Sequence, residues 1–164
     1  MNTQLVEESI RVLIADDDEH ILACYREAFG ESEATDYMKA LDALDAELFD
    51  VEKDADTAPK FDIVACSQGQ DAIDKATKAA NEGHPFDVVI LDVRMPPGID
   101  GVEAGSKIRE MDPDVEIVFV TGFSDVPRHE LERRVPPPMK LHYFNKPLSF
   151  IKLAKDVAGM VDTH

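Results

Sequence analysis

Two features of the sequence predict an α/β domain built on a doubly wound, five-stranded parallel sheet. Short apolar runs alternate with amphipathic helical patterns, and four of these runs end on polar residues suited to phosphate or metal chemistry. Alternation of strands and helices is typical of a parallel sheet with helices on both faces. Because 164 residues suffice for one such unit with a sizeable core, we predict a single domain over residues 1–164.

Each element is predicted from its local pattern. Strand-like runs, each rich in Val, Ile or Phe, lie at about 11–16, 61–66, 86–91, 115–120 and 141–145. Apolar residues at helical spacing predict helices over about 19–29, 70–81, 102–110 and 149–161. One more helical pattern begins near Asp125 and stops at Val135-Pro136-Pro137-Pro138, because proline does not fit a helix interior. This fourth helix of the alternating series must therefore be short.

Residues 31–60 interrupt the alternation, because one short connection would suffice between the first helix and the second strand. Apolar residues recur there at intervals of three and four and predict an amphipathic helix from about 35 to 50. The segment carries ten acidic and three basic residues, so it holds much of the net charge. We interpret it as a helix that covers the domain's own core with a solvated acidic outer face. A helix that docks a partner or forms a homodimer is the alternative.

The composition argues against several classes of partner. Thirty-four acidic and seventeen basic residues give a formal charge of -17, which repels phosphate backbones and anionic membranes. We therefore expect neither direct nucleic-acid binding nor membrane association. The amino terminus lacks an apolar signal core and no run approaches bilayer-spanning length, which favours a cytoplasmic protein. Isolated Cys24 and Cys66 and five scattered histidines favour neither a disulfide framework nor a zinc site.

Polar residues follow four of the predicted strands where each strand ends: Asp16 and Asp17, then Asp92, Thr121 and Lys146. In parallel α/β sheets ligands bind beyond the carboxyl ends of the strands, so these side chains could converge on one site. Adjacent Asp16 and Asp17 can face the same site only where the backbone turns at a strand end. Three carboxylates at one edge repel each other unless a cation lies among them, and Mg2+ is the natural oxygen-ligated ion.

The same residue types suit phosphoryl transfer. An Asp carboxylate can attack phosphorus and form an aspartyl phosphate. Mg2+ and a Lys ammonium neutralise charge during such a transfer, and a hydroxyl donor such as Thr121 completes the binding site. Taken singly, Thr121 could cap a turn and Lys146 could be a solvated surface charge. Their joint placement after predicted strands favours a shared site.

Five segments, in order, together form a specific signature. They are Val-Leu-Ile-Ala-Asp16-Asp17-Asp18-Glu, Val-Val-Ile-Leu-Asp92-Val-Arg-Met-Pro, Asp100-Gly101, Val-Phe-Val-Thr121-Gly122 and Tyr143-Phe-Asn-Lys146-Pro147. In these segments the chain resembles the receiver domains of bacterial two-component response regulators, over nearly its whole length except 31–60. The resemblance implies a flavodoxin-like sheet with strand order 2-1-3-4-5.

The resemblance also implies the phosphoacceptor and its metal site. Asp92 would receive the phosphoryl group from the phospho-His of a histidine kinase or a phosphotransfer protein. Asp16, Asp17 and Asp92, with the backbone carbonyl of Arg94, would hold Mg2+. The chain would catalyse only its own phosphorylation and dephosphorylation, so we do not expect an enzyme that acts on other substrates.

The resemblance implies roles for three further residues and the geometry of one peptide bond. Thr121 and Lys146 would contact the phosphoryl group. Tyr143 falls where the family places an aromatic switch, which turns inward when Thr121 is drawn toward the phosphoryl group; a half-buried strand aromatic is the alternative interpretation. The peptide bond between Lys146 and Pro147 would be cis.

The loop after Asp92 departs from the common pattern of the family. Met95-Pro96-Pro97-Gly98-Ile99-Asp100-Gly101 is one residue longer than usual, so its shape should differ. This Pro-Pro-Gly variant, with an insert after the first helix, looks like the receivers of some hybrid sensor or cyclic-dinucleotide signalling proteins. Arg94 and Phe123 occupy positions that in this family crowd the phosphoryl group, and we hypothesise that they set its lifetime.

Two other functions are alternatives. A haloacid-dehalogenase-like phosphatase would use Asp16-Asp17-Asp18 as its Asp-x-Asp, but His20 stands where such enzymes need Thr or Val. The acids that they need at a strand end after the lysine are also missing, because only Asp156 and Asp162 follow, on or after a helix. An adaptor that works without phosphorylation is the second alternative, against which the intact phosphoryl-binding set argues.

The downstream partner is not readable from the sequence. No output domain follows the fifth helix, so we expect a chain that acts alone or one cut from a longer protein. Acting alone, it would dock a partner through the fourth helix, fifth strand and fifth helix, or pass the phosphoryl group to a phosphotransfer protein.

Overall fold

The structure of the chain is a computed structural model, and it describes residues 9–30, 60–96, 98–122, 126–146 and 148–162. Its five strands are β1 (Ile10–Ala15), β2 (Phe61–Cys66), β3 (Val88–Asp92), β4 (Glu116–Thr121) and β5 (Leu141–Asn145). They form one sheet in the order β2-β1-β3-β4-β5, and every neighbouring pair is parallel. The predicted flavodoxin-like fold, with strand order 2-1-3-4-5, is confirmed.

Within the described residues, five α-helices connect and flank the strands. They are α1 (Glu19–Ala28), α2 (Gly69–Asn81), α3 (Gly101–Met111), α4 (Arg128–Arg134) and α5 (Phe150–Asp162), with a short 3-10 helix at Pro138–Lys140 before β5. Helix α4 has only seven residues. It ends before Pro136, as the proline run predicts.

The sheet is covered on both faces, which is why its central strands are continuous apolar runs. Every residue of β3 and β4 is buried. Alternate residues of each strand point to opposite faces. Leu13, Leu91 and Phe119 pack with α2, α3 and α4, whereas Ile14, Ile90 and Val120 pack with α1 and α5. The candidate site residues therefore follow strands of a sheet whose centre is fully buried.

Most boundaries of the elements match the predicted ones to within one or two residues. Strand β3 begins at Val88 and not at residue 86. Just before it, the Asp87 side chain accepts a hydrogen bond from the Arg11 amide at 2.9 Å, and the Asp87 amide donates to the Arg11 carbonyl at 2.9 Å. The largest difference is at α4, which begins at Arg128 and not near residue 125, with Pro127 at its N-cap position.

Several predictions concern positions outside the described residues. These are the helix at about 35–50 within the 31–60 insert, the contribution of Phe123 to phosphoryl lifetime, and the cis bond between Lys146 and Pro147. Among the helices that the structure describes, none combines the length and apolar character needed to cross a membrane.

Candidate functional site

Three carboxylates meet at the carboxyl edge of the sheet. Asp16 and Asp17 directly follow β1, and Asp92 is the last residue of the adjacent β3. One oxygen from each of the three lies within 4.8 Å of the others. Asp16 and Asp92 are 1% and 4% exposed, whereas Asp17 is open to solvent. The structure thus brings together the three acids that the sequence places after strands.

The buried charge of Asp16 is only partly compensated. Its Oδ1 accepts a hydrogen bond from the Asp18 amide at 2.9 Å, but its buried Oδ2 has no hydrogen-bond partner among the described residues. Burial raises the pKa of Asp16 to about 6; the Asp18 amide opposes this rise, and the charge of Asp92 adds to it. An unpaired buried carboxylate oxygen is costly, so this position favours a cation.

Asp92 is better compensated. Its Oδ2 lies 3.1 Å from the Lys146 ammonium, and its Oδ1 accepts from the Arg94 amide at 3.4 Å. Burial raises the pKa of the Asp92 carboxyl, while Lys146 acts to lower it. Burial alone would lower the pKa of Lys146, but the aspartates outweigh it and raise the pKa. Lys146 therefore stays charged beside Asp92.

This donor set fits Mg2+. Mg2+ prefers oxygen ligands and commonly uses one or two carboxylates together with water and phosphate oxygens. Asp16, Asp17 and Asp92 supply carboxylates at one edge, and the unpartnered Oδ2 of Asp16 is an open acceptor. The Arg94 carbonyl, implied by the resemblance as a fourth ligand, stays a prediction.

Local sequence fixes where the site residues lie. Asp18 caps α1 by accepting a hydrogen bond from the His20 amide at 2.9 Å, so the helix starts two residues after Asp17. On the other side, Asp100 caps α3 through the Glu103 amide at 2.8 Å. The Gly101 amide that follows donates to the Val93 carbonyl at 2.8 Å. Both helices are thereby fixed close to the carboxylates.

The long loop after β3 rests on the start of α2. Gln68 donates from Nε2 to the Pro96 carbonyl at 3.3 Å. A Cβ atom on Gly69 would lie only 2.9 Å from Cγ1 of Ile99, and one on Gly98 only 2.8 Å from Oε1 of Gln68. Sequence reasoning missed Gln68 and Gly69, because no local pattern shows that the β2–α2 connection contacts this loop.

Thr121 ends β4, and Lys146 directly follows the neighbouring strand β5. Thr121 is the last residue of β4, and the Lys146 amide donates to its carbonyl at 3.0 Å. The Thr121 hydroxyl donates to Oδ1 of Asn145 at 3.1 Å. Sequence reasoning missed Asn145; it becomes visible only once the register of β4 and β5 is known.

Tyr143 is half-buried in the middle of β5. The Arg128 guanidinium lies 4.5 Å from its ring centroid, in cation–π geometry. Its buried hydroxyl has no hydrogen-bond partner of good geometry among the described residues. Burial and the charge of Glu132 raise its pKa. Tyr143 therefore packs against α4, where Arg128 and Glu132 both act on it.

A family model for the response regulator receiver domain matches residues 45–157. The chain belongs to this family. The predicted family is thus confirmed; the roles of individual site residues in this receiver domain stay predictions.

Curated relatives match this receiver domain over part of their length. It is 31% identical to the response regulator receiver protein CpdR of Brucella abortus over 77 residues, which are 47% of this chain and 61% of CpdR. It is 40% identical to the oxygen regulatory protein NreC of Staphylococcus epidermidis over 63 residues, 38% of this chain and 27% of NreC. The sensor kinase CckA of Brucella abortus is 31% identical over 80 residues, 49% of this chain and 8% of CckA. The chain thus spans less than two thirds of each.

Solved structures show the same fold over nearly the whole chain. A receiver protein from Sinorhizobium medicae superposes with a TM-score of 0.62 at 22% identity, covering 94% of this chain and 96% of that one. A CheY-like receiver domain from Methanospirillum hungatei gives a TM-score of 0.65 at 16% identity, covering 95% and 96%. At these identities the likeness supports the fold alone.

Proposed function

We propose that the chain is the phosphoacceptor module of a two-component signalling system. In this proposal a histidine kinase or phosphotransfer protein donates a phosphoryl group from phospho-His to Asp92. The observation that carries the proposal is the environment of Asp92, a buried carboxylate at a strand end with two more aspartates beside it and an ammonium at 3.1 Å. Such transfer is mainly positioning and neutralisation of charge.

The transfer itself needs one nucleophile. A carboxylate oxygen of Asp92 forms the new O–P bond as the N–P bond of the phosphohistidine breaks, and the imidazole leaves with the electron pair of that bond. Lys146 already lies beside Asp92, and its ammonium can neutralise the negative charge on the phosphoryl oxygens. Asp16 and Asp17, with Asp92 and the Arg94 carbonyl, would hold Mg2+. When bound, Mg2+ supplies the positive charge that lets the carboxylate and the phosphoryl group approach each other.

The proposed output is a change at a partner-binding face. Thr121 would donate its hydroxyl to a phosphoryl oxygen, and Tyr143 would move in response. Tyr143 lies on β5 between β4 and α4, so its movement would alter the surface that a downstream protein meets. The module would act on no substrate beyond its own phosphorylation and dephosphorylation.

Labelling with a small phosphodonor tests the proposal. The chain is incubated with Mg2+ and acetyl phosphate, and intact mass is followed for one added phosphoryl group that is stable in acid and lost in base. We expect the adduct in the wild type and in Asp74→Asn, a matched change of an exposed aspartate on α2. We expect none in Asp92→Asn. Labelling that survives Asp92→Asn would refute the proposal, and absence of labelling in the wild type would favour the phosphorylation-independent adaptor.

A further inference from the structure

The hydroxyl proposed to bind the phosphoryl group is already engaged in this structure. Thr121 donates from Oγ1 to Oδ1 of Asn145 at 3.1 Å. The two residues are direct neighbours in the parallel ladder, since Thr121 pairs with Asn145 at the ends of β4 and β5. The next hydrogen bond, from the Lys146 amide to the Thr121 carbonyl at 3.0 Å, keeps them side by side.

The two partners differ in how free they are to move. Thr121 is 8% exposed and is held in the last position of a buried strand, whereas Asn145 is exposed. Threonine has only a few staggered χ1 rotamers, and the hydrogen bond to Asn145 selects one of them. The Asn145 side chain is therefore the partner that can release the bond at low cost.

A threonine hydroxyl carries one proton, so it donates to one acceptor at a time. While that proton is held by the Asn145 amide oxygen, it is not available to a phosphoryl oxygen at Asp92. We propose that Asn145 is a positioning residue that holds the Thr121 hydroxyl in the resting state, so that phosphoryl binding has to break this bond. This inference rests on the proposed function and adds a regulatory step to the same site.

A purely structural role for Asn145 makes a different prediction. If Asn145 only ended β5, its replacement would change stability and leave ligand affinity unaltered or weaker. In our proposal its loss makes ligand binding tighter, because the Thr121 hydroxyl no longer has to exchange one acceptor for another. The expected gain is about two- to tenfold in affinity, the range that one net hydrogen bond contributes.

The test measures the dissociation constant of beryllofluoride, a stable mimic of the phosphoryl group, by calorimetry in the presence of Mg2+. Asn145→Ala should bind it about two- to tenfold more tightly than the wild type. In the Thr121→Val background, which lacks the hydroxyl, Asn145→Ala should have no such effect. In the Thr121→Ser background, which keeps a hydroxyl, the gain should return. This double-mutant cycle isolates the pair from other effects of each change.

A second measurement needs neither metal nor ligand. Threonine methyl NMR on the metal-free chain reports the χ1 rotamer of Thr121 through its scalar couplings. We expect one rotamer in the wild type and averaging in Asn145→Ala. An unchanged rotamer would mean that Asn145 does not hold Thr121, which would overturn the inference.

The outcomes separate the inference from the proposed function. If the wild type is labelled on Asp92 and binds beryllofluoride but Asn145→Ala binds it equally or less tightly, the inference is wrong and the function stands. An equal gain in the Thr121→Val background would also overturn it, since Asn145 would then act without the hydroxyl. A wild type that neither binds beryllofluoride nor is labelled would overturn both.

Discussion

Gly101 packs directly against the backbone of Asp92, the proposed phosphoacceptor. It is the first residue of α3, and its amide donates to the Val93 carbonyl at 2.8 Å. A Cβ atom built on Gly101 would lie 2.0 Å from the carbonyl oxygen of Asp92 and 2.9 Å from its carbonyl carbon. These are backbone atoms, so no side-chain rotation can relieve the clash. Gly101→Ala must therefore move either α3 or the strand end that carries Asp92.

The size of the effect follows from these distances. Cβ atoms essentially never lie within 3.0 Å of another heavy atom, so the two segments must separate by roughly 1 Å. Overpacking of this kind costs about 1–3 kcal/mol, and weakening the Gly101 amide bond adds about 1–3 kcal/mol. The better helix propensity of alanine returns at most about 1 kcal/mol. We expect a net loss of about 3 kcal/mol in the free energy of unfolding.

Displacement of Asp92 should also lower the rate at which its carboxylate is phosphorylated. A misplacement of about 1 Å can cost roughly a hundredfold in rate. The assay combines urea unfolding with the rate of labelling by acetyl phosphate. Gly159→Ala is the matched control, since a Cβ there meets no described atom within 4 Å and the residue lies within α5. It should stabilise the chain by up to about 1 kcal/mol. Equal stability and labelling rates in the two variants would refute the reasoning.

Substitution of three other side chains should change the stability of the chain or the lifetime of the phosphoryl group. In the metal-free chain, burial raises the pKa of Asp16 from 3.8 to about 6. The folded state therefore binds more protons than the unfolded state between these pH values, so stability should increase as pH falls from about 6 towards 4. Asp16→Asn should flatten this pH dependence, measured in urea melts at a series of pH values. Arg128→Ala should cost about 1 kcal/mol through the lost contact with Tyr143; a loss no larger than that of the exposed control Arg133→Ala, measured by urea unfolding, would contradict this. Arg94→Ala should speed phosphoryl loss from Asp92 several-fold by admitting water, and identical decay rates would end that hypothesis.

The fold could be predicted from the sequence because local patterns and topology agree. Buried strands such as β3 and β4 read as unbroken apolar runs, and the proline run after Val135 sets the end of α4. Element boundaries are harder to predict. Next to the start of β3, Asp87 exchanges hydrogen bonds with Arg11, which is distant in sequence and belongs to no local pattern.

The residues of the candidate site likewise fall into those that the sequence predicts and those that it does not. Residues that end or directly follow strands, such as Asp16, Asp92 and Thr121, are predictable because the carboxyl ends of parallel strands share one edge. Residues that act on them from neighbouring segments were missed, because contacts such as Gln68 with Pro96 depend on how two loops meet. Strand register is likewise not readable from composition, and it decides which side chain lies beside Thr121.

The resting contacts of Thr121, Asp92 and Tyr143 contribute to the free energy of the proposed switch. Thr121 is bonded to Asn145, Asp92 to Lys146, and the Tyr143 ring lies against Arg128. A phosphoryl group would therefore replace existing interactions and would not find free partners. The free energy of switching is then a difference between two bonded states, and a ligand shifts such an equilibrium only by its differential affinity for them. Variants that weaken the resting contacts should accordingly raise the population of the switched state even before phosphorylation.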